Sequence, residues 1–153
     1  MFTIKSFEPE DVEKVIAFEK ELREQEPDTY FWEPDEAYAS QLKRSFSDPR
    51  FHNALSFLAL RDDRVIGRID ASIISSRSDA ACFSVYLDWI CVLKSERHRQ
   101  VAQNLLKALR AECRARGAGV LIALMADNAE AQSFYRKIKN ASIHDTGIWI
   151  DLN

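Results

Sequence analysis

Apolar and polar residues alternate at the start of the chain, and the spacing then becomes helical. Residues 2–7, FTIKSF, alternate as a half-buried strand does. Pro9 with Glu10 and Asp11 is typical of a helix start. An apolar stripe follows at Val12, Val15, Ile16, Phe18 and Leu22. A second helix is predicted from about Asp35 to Phe46, after an aromatic loop with the sequence DTYFWEP.

Strand patterns dominate the middle of the chain. ALSFLALR and VIGRIDASII flank the turn DDR and predict a β-hairpin. After the turn SRSDA, the segment CFSVYLDWICVL predicts a third, long strand. A helix is predicted from about Arg99 to Arg116, because Val101 and several leucines recur at helical spacing and Gly117 suits a helix C-cap.

The last third predicts three more elements. VLIALM reads as a short strand buried on both faces. Residues 128–138 predict a helix, and GIWIDL predicts a closing strand, with a further short strand proposed near Ser142. The order β-α-α-β-β-β-α-β-α-β predicts a single α/β (α+β) domain over residues 1–153. Its central sheet is expected to be mixed, mostly antiparallel and flanked by helices.

The connection between two of these strands points to a site. We expect VLIALM to lie beside CFSVYLDWICVL, joined by a right-handed crossover through the helix between them. Ligands bind at the carboxyl ends of such strands. The region from Cys91 to Ala102 is therefore the first place to look for one.

Composition excludes several classes of protein. The 153 residues suit one domain, and 46% hydrophobic with 29% charged residues is a soluble globular balance. No apolar run approaches the ~20 residues of a membrane span, and no signal peptide is apparent, so a cytoplasmic location is expected. A net charge of −3 argues against nucleic acid as a partner. Three cysteines without CxxC spacing and three scattered histidines favour neither a disulfide framework nor a metal site.

Two segments carry groups suited to phosphate and to proton transfer. ERHRQVAQNLL begins at a strand-to-helix junction, where free backbone N–H groups and the guanidinium groups of Arg97 and Arg99 suit an anion. The alternative is a solvated basic turn. In NAEAQSFYRK, Asn128 suits an N-cap, and Ala131 shares a helix face with Tyr135, whose hydroxyl could enter a cleft. The alternative is ordinary core packing of Phe134 and Tyr135.

Asp88 is a third candidate. It lies within the apolar strand sequence YLDWICV, and a carboxylate in such a setting is a candidate general base. The alternatives are that this face is exposed to solvent or that Asp88 pairs with an arginine.

Together these segments resemble the core of the GNAT superfamily of N-acetyltransferases over about residues 85–139. In that family a strand of the form W-I-x-V leads to R/Q-x-x-G-x-G/A and a helix. A short apolar strand, N-x-x-A-x-x-F-Y and K-x-G-F follow. The corresponding sequence here is WICVLKSERHRQVAQNLLKALRAECRARGAGVLIALMADNAEAQSFYRK.

The resemblance implies acetyl-CoA as cosubstrate and assigns residues to it. The pyrophosphate loop would be formed by Arg97, His98, Arg99, Gln100, Val101 and Ala102. The strand whose backbone binds pantetheine and the acetyl carbonyl would be formed by Ile90, Cys91 and Val92, with Asn128, Ala131 and Phe134 along the pantetheine arm. Tyr135 would protonate the departing thiolate.

Two positions depart from the family pattern. Gln100 stands where the loop has its middle glycine, which allows a close approach to phosphate and a positive φ. K-x-G-F is replaced by Lys137, Ile138, Lys139 and Asn140, and Asn140 is expected to stand in for the glycine because asparagine tolerates the left-handed conformation.

The implied function is transfer of an acetyl group to a primary amine by direct attack, with Asp88 as the base; Cys91 as an acetylated nucleophile is the minor alternative. The acceptor site is expected at Tyr30, Phe31, Trp32, Glu33, Asp35 and Glu36, where acids and aromatic rings suit a cation such as an aminoglycoside, a polyamine or a protein amine. The alternative is that these aromatic residues pack on the core.

Two other functions stay open. A degenerate GNAT-fold protein would bind CoA weakly or not at all and act as a binding or regulatory module. The segment GIWIDLN could also serve as a sheet edge through which two copies pair as a homodimer.

Overall fold

The computed structural model describes residues 1–77 and 82–152. It divides into two compact units, Met1–Ile122 and Ala123–Asn153. Most of the predicted turn SRSDA lies outside the described residues. Every helix within the described residues is too short or too polar to cross a bilayer.

A five-stranded sheet forms the centre of the first unit. Its strands are β1 (Thr3–Ser6), β2 (Ala54–Arg61), β3 (Arg64–Ile74), β4 (Phe83–Val92) and β5 (Ala118–Ala123), in the order β1-β2-β3-β4-β5. The pairings β1–β2, β2–β3 and β3–β4 are antiparallel. The predicted hairpin and the predicted position of the fifth strand beside the fourth are both confirmed.

Helices α1 (Val12–Gln25), α2 (Glu36–Ser45) and α3 (Val101–Ala115) complete the first unit, and α4 (Ala129–Arg136) belongs to the second. The apolar stripe of α1 is buried as expected. Asp35 caps α2 by accepting a hydrogen bond from the Tyr38 backbone N–H. Gly117 follows α3 with φ +82°, which confirms the predicted C-cap glycine.

Gly67 fixes how closely α3 approaches the sheet. A Cβ atom at this position would lie 3.0 Å from Val101 Cγ1, 3.2 Å from the Cys91 carbonyl oxygen and 3.2 Å from Leu105 Cδ1. The absence of a side chain therefore lets the first turns of α3 rest on β3 and β4, on the sheet face opposite to Arg68, since neighbouring residues of a strand face opposite ways.

Three predictions about the C-terminal third are wrong. β5 is not buried on both faces, since Val120 and Ile122, which share one face of the strand, are about half exposed. GIWIDL forms no strand within the described residues, nor do the residues near Ser142. Alternation supplies only a pattern, and a strand also needs a hydrogen-bonding neighbour. Pairing of two copies through this segment stays a prediction.

Candidate functional site

A cleft of about 920 Å³ lies between α2 and the sheet, within the first unit. We call it the aromatic cleft. Its walls include Phe7, Trp32, Tyr38, Leu42, Phe46, Asp48, Phe51, His52, Ser56, Arg68, Asp70, Asp88 and Trp89. Six of these side chains are aromatic and four are charged at neutral pH, so the cleft combines apolar walls with a small number of charges.

Strand alternation explains the polar groups of the cleft floor. Side chains two residues apart share a sheet face, so Arg68, Asp70 and Ser72 of β3 lie on the cleft side. Ser56 of β2 pairs with Asp70 in the register and donates its hydroxyl to Asp70 Oδ1 at 2.5 Å. The floor is therefore a polar patch on one face of an otherwise apolar sheet.

A β-bulge places Asp88 in the cleft. In the β3–β4 register Asp70 pairs with Trp89 and Ala71 with Leu87, which leaves Asp88 as the extra residue of β4. Bulges redirect side chains and are frequent beside functional sites. Asp88 and its neighbour Trp89 both line the cleft as a result, and the Asp88 side chain is exposed to it.

Arg68 and Glu19 form the buried centre of the cleft floor. Arg68 Nη1 lies 2.7 Å from Glu19 Oε1, and Arg68 Nε lies 2.7 Å from Asp70 Oδ2. The Glu19 carboxylate also accepts hydrogen bonds from Trp32 Nε1 at 2.9 Å and from the Tyr38 hydroxyl at 3.0 Å. One carboxylate on α1 thus joins the aromatic loop, α2 and β3.

Burial shifts the titration of this cluster. Removal from water raises the pKa of Glu19, and the positive charge of Arg68 together with the hydrogen bonds from Trp32 and Tyr38 offsets only part of that rise. Burial and the nearby Glu19 charge raise the pKa of Tyr38 to about 12. Although burial opposes its charge, Arg68 has a raised pKa because the Asp70 and Glu19 carboxylates stabilise the cation. The Tyr38 hydroxyl therefore stays protonated and donates a hydrogen bond to Glu19.

Three aromatic rings pack together, and two of them, Trp32 and Trp89, line the cleft. The ring centroids of Trp32 and Trp89 are 5.6 Å apart, and those of Tyr30 and Trp32 are 5.4 Å apart, all near edge-to-face. Tyr30 is buried behind Trp32. The Arg68 guanidinium carbon lies 5.6 Å from the centre of the Trp89 ring.

The predicted acceptor residues divide between cleft and surface. Trp32 lines the cleft and Tyr30 supports it, whereas Phe31 is exposed and Glu33 forms an ion pair with Arg23. Glu33 is not among the side chains lining the cleft. Asp35 is occupied as the N-cap of α2, and Glu36 is exposed in its first turn.

The predicted pyrophosphate loop keeps a glycine-like backbone. Gln100 has φ 63° and ψ 17°, in the left-handed region, and His98 has φ 62°. Gln100 immediately precedes α3, whose N-terminus has no side-chain cap from this residue. The conformation that glycine favours is therefore present without glycine, and the first backbone N–H groups of α3 stay available to an anion.

The two arginines of this loop differ. Arg97 is half-buried and forms an ion pair with Glu26, whereas Arg99 is exposed and its Nη1 lies 3.8 Å from Glu96 Oε2. Arg99 is therefore the more accessible guanidinium for an incoming phosphate.

Cys91 belongs to β4, and its side chain is buried. Its side chain is 5% exposed, and burial raises the pKa of its thiol well above the usual value. The thiolate that a nucleophilic role needs is therefore disfavoured. Ile90, Cys91 and Val92 pair along β4 with Ile69, Arg68 and Gly67 of β3.

The second unit carries the remaining predicted residues. Asn128 caps α4 by accepting the Ala131 backbone N–H at 2.8 Å, as expected. The rings of Phe134 and Tyr135 contact each other edge-to-face, 5.2 Å between centroids. Asn140 has φ 64°, the left-handed conformation expected of it.

Sequence reasoning missed Glu19, Arg68 and Asp70. A signal for each was present. Glu19 falls on the apolar stripe of α1, at the spacing of Val12, Val15, Ile16 and Leu22, where a charged residue needs a buried partner. Arg68 and Asp70 are two residues apart in a strand of apolar residues and so share one face.

Comparison with known proteins gives a consistent result. The family model described as "Acetyltransferase (GNAT) family" matches residues 15–139, most of the chain. No curated protein sequence matches the chain.

Several solved structures have the same fold. An aminoglycoside acetyltransferase from an uncultured soil metagenomic sample, in complex with sisomicin, has a TM-score of 0.81 at 15% identity, covering 99% of this chain and 97% of that one. AAC(6')-Iy in complex with a CoA-containing bisubstrate analog has a TM-score of 0.77 at 21% identity, covering 99% and 98%. Glucosamine-6-phosphate N-acetyltransferase from Arabidopsis thaliana has a TM-score of 0.73 at 15% identity, covering 98% and 99%. At these identities the likeness establishes the fold.

Proposed function

The chain belongs to the GNAT acetyltransferase family, whose members use acetyl-CoA, and on that premise we propose that it transfers an acetyl group from acetyl-CoA to a primary amine bound in the aromatic cleft. The observation that carries the proposal is the bulge that turns Asp88, a carboxylate able to accept a proton, into that cleft.

The described residues suit the cosubstrate. CoA carries a pyrophosphate, and the left-handed Gln100 leaves the N-terminus of α3 open beside the exposed Arg99. Gly67 seats this helix N-terminus on the sheet by close contact with Val101. Family resemblance adds Asn128, Ala131 and Phe134 for the pantetheine arm.

Asp88 and Tyr135 divide the proton transfers in this proposal. Acetyl-CoA supplies the acetyl group as a reactive thioester. Asp88 takes a proton from the bound ammonium, since only the neutral amine attacks a carbonyl. The family resemblance assigns to Tyr135 the donation of a proton to the departing CoA sulfur, and to backbone N–H groups of Ile90 to Val92 the stabilisation of the negative charge on the carbonyl oxygen. The buried Cys91 thiol takes no covalent part.

Calorimetric titration with acetyl-CoA, followed by a thiol-release assay over a panel of primary amines, tests the function. We expect binding, and release of CoA thiol that depends on an amine. Absence of binding at millimolar acetyl-CoA would refute the proposal. That result would support the alternative of a degenerate, non-catalytic member, which the Gln100 substitution and the engagement of Arg97 with Glu26 favour.

Replacing Gln100 by glycine is expected to improve cosubstrate binding. A residue with a side chain costs about 1–2 kcal/mol in the left-handed region, while glycine costs about 0.5–1 kcal/mol in chain entropy. Gln100→Gly should therefore raise the free energy of unfolding by no more than about 1.5 kcal/mol. Its KM for acetyl-CoA should fall roughly 3- to 10-fold, because the backbone can approach the phosphate more closely. A change of that size corresponds to the free energy of about one hydrogen bond.

Asp62→Gly is the matched control. Asp62 has φ 50° and is exposed, in the turn between β2 and β3. Glycine at this position relieves the same left-handed backbone strain, but away from α3. Denaturant unfolding and steady-state kinetics on both variants check the prediction. An unchanged KM for acetyl-CoA in Gln100→Gly, or an equal fall in Asp62→Gly, would contradict it.

A further inference from the structure

Charges in the aromatic cleft are mostly paired already. Its described lining contains three carboxylates, those of Asp48, Asp70 and Asp88. Arg50 holds Asp48 through Nη2 at 2.6 Å from Oδ2 and through its backbone N–H, and these hydrogen bonds lower the pKa of Asp48 to about 2. Asp70 forms an ion pair with Arg68 and accepts a hydrogen bond from the Ser56 hydroxyl. Both carboxylates therefore have partners within the protein.

Asp88 differs from these two. No hydrogen bond or ion pair from a residue in the described part of the chain reaches its carboxylate, although it lines the same cleft. An incoming ammonium thus meets one unpartnered carboxylate. A second ammonium on the same ligand would lose water without gaining a comparable partner, which is costly.

Arg68 is not available to pair with an acidic group of a ligand. It is 7% exposed, and its guanidinium is shared between Glu19 and Asp70. The two carboxylates already balance this one cation. An acceptor that bears a carboxylate beside its amine is disfavoured here.

Aromatic side chains line the same cleft as Asp88. Phe46 and Phe51 line the cleft and remain 39% and 48% exposed, and Phe46 stacks edge-to-face on Phe7 at 5.0 Å. Trp32 and Trp89 line the same cleft and contact each other. Half-exposed rings facing a cleft leave apolar area that a ligand can cover, at about 25 cal/mol per Å² buried.

From these observations we propose that the preferred acceptor carries a single primary ammonium group on an aromatic or similarly apolar body. The ammonium pairs with Asp88 and the body covers Phe46 and Phe51. This inference rests on the proposed function and narrows it. It separates this chain from the structurally similar aminoglycoside acetyltransferases, whose names imply polycationic acceptors.

Thiol release from acetyl-CoA with 2-phenylethylamine, propylamine and spermidine tests the inference. We expect kcat/KM for 2-phenylethylamine to exceed that for each of the others by about tenfold or more, because burying the ring contributes free energy that the others lack. Equal or faster transfer to spermidine overturns this inference alone. Thiol release with none of the three amines overturns the proposed function, and this inference with it.

Two exposed positions sharpen the test. Phe51→Ser should lower the preference for 2-phenylethylamine over propylamine at least threefold, whereas Phe83→Ser, a partly exposed phenylalanine outside the cleft lining, should leave it unchanged. Arg50→Gln removes the guanidinium that balances the charge of Asp48 while the backbone N–H bond stays, and we expect it to raise kcat/KM for spermidine severalfold. An unaltered preference in Phe51→Ser together with an unaltered spermidine rate in Arg50→Gln would overturn the inference.

Discussion

Replacing Arg68 with methionine is expected to lower the free energy of unfolding by about 3–5 kcal/mol, because the change leaves a buried carboxylate without its cation. Glu19 is fully buried and lies 2.7 Å from Arg68, and the hydrogen bonds from Trp32 and Tyr38 are neutral and cannot replace that charge. Methionine keeps most of the apolar stem, so lost packing contributes little. Urea unfolding at neutral pH measures the effect.

The same variant should gain a steeper dependence on pH. Burial already raises the pKa of Glu19 in the folded protein, and Arg68 holds that rise in check. A raised folded-state pKa means that the stability contributed by this group is complete below the unfolded pKa, about 4.3, and is lost as pH rises through the folded value. Without Arg68 the folded value rises further, so the destabilisation should be smallest near pH 4 and grow towards neutrality.

Controls distinguish this cause from general damage. Arg50→Met removes an arginine that is also paired with a carboxylate, but its side chain is 84% exposed, so the loss should be far smaller than that of Arg68→Met. Adding Glu19→Gln to Arg68→Met should recover part of the stability, because no buried charge then remains unpaired. A loss below about 1 kcal/mol in Arg68→Met, or one independent of pH, would show that Glu19 does not depend on Arg68.

The elements of this fold were predictable wherever a local pattern sufficed. The hairpin of β2 and β3 and the helix between β4 and β5 follow from spacing alone, and Gly117 and Asn140 take the left-handed conformations expected of them. GIWIDL has an equally good strand pattern, yet it forms no strand. Pairing is a property of the neighbouring segment, and no pattern within GIWIDL contains it.

The cleft was less predictable because it is built from long-range partners. Glu19 and Arg68 are 49 residues apart, and their separate patterns show only that each is a charged residue among apolar ones. Asp88 was found as a candidate, but the bulge that exposes it depends on the register with β3. The spacing of residues within one segment predicts neither this register nor the loop conformation that brings Trp32 against Trp89.

Asp88→Asn is expected to reduce kcat/KM for the amine by about 10²- to 10⁴-fold, the usual contribution of a positioned general base. Asparagine matches aspartate in size, and the exposed Asp88 side chain forms no ion pair with a described residue, so folding should be unaffected. The amide can neither accept the ammonium proton nor balance its charge. We assign the binding of acetyl-CoA to the Gln100 loop and α3, which this substitution does not touch. The KM for acetyl-CoA should therefore stay within about twofold of the native value.

The pH dependence of that loss identifies its cause. A primary amine has a pKa near 10, so the neutral form becomes plentiful as pH rises and the need for a base declines. The activity of Asp88→Asn should therefore approach that of the native protein above about pH 9, whereas Tyr135→Phe, which removes a proton donor, should gain nothing from alkaline pH. Asp62→Asn, an equivalent change in an exposed turn, should behave as the native protein. If Asp88→Asn keeps full activity at pH 7, or shows the same fractional loss at every pH, Asp88 is not the base and its place in the cleft serves only to bind the cation.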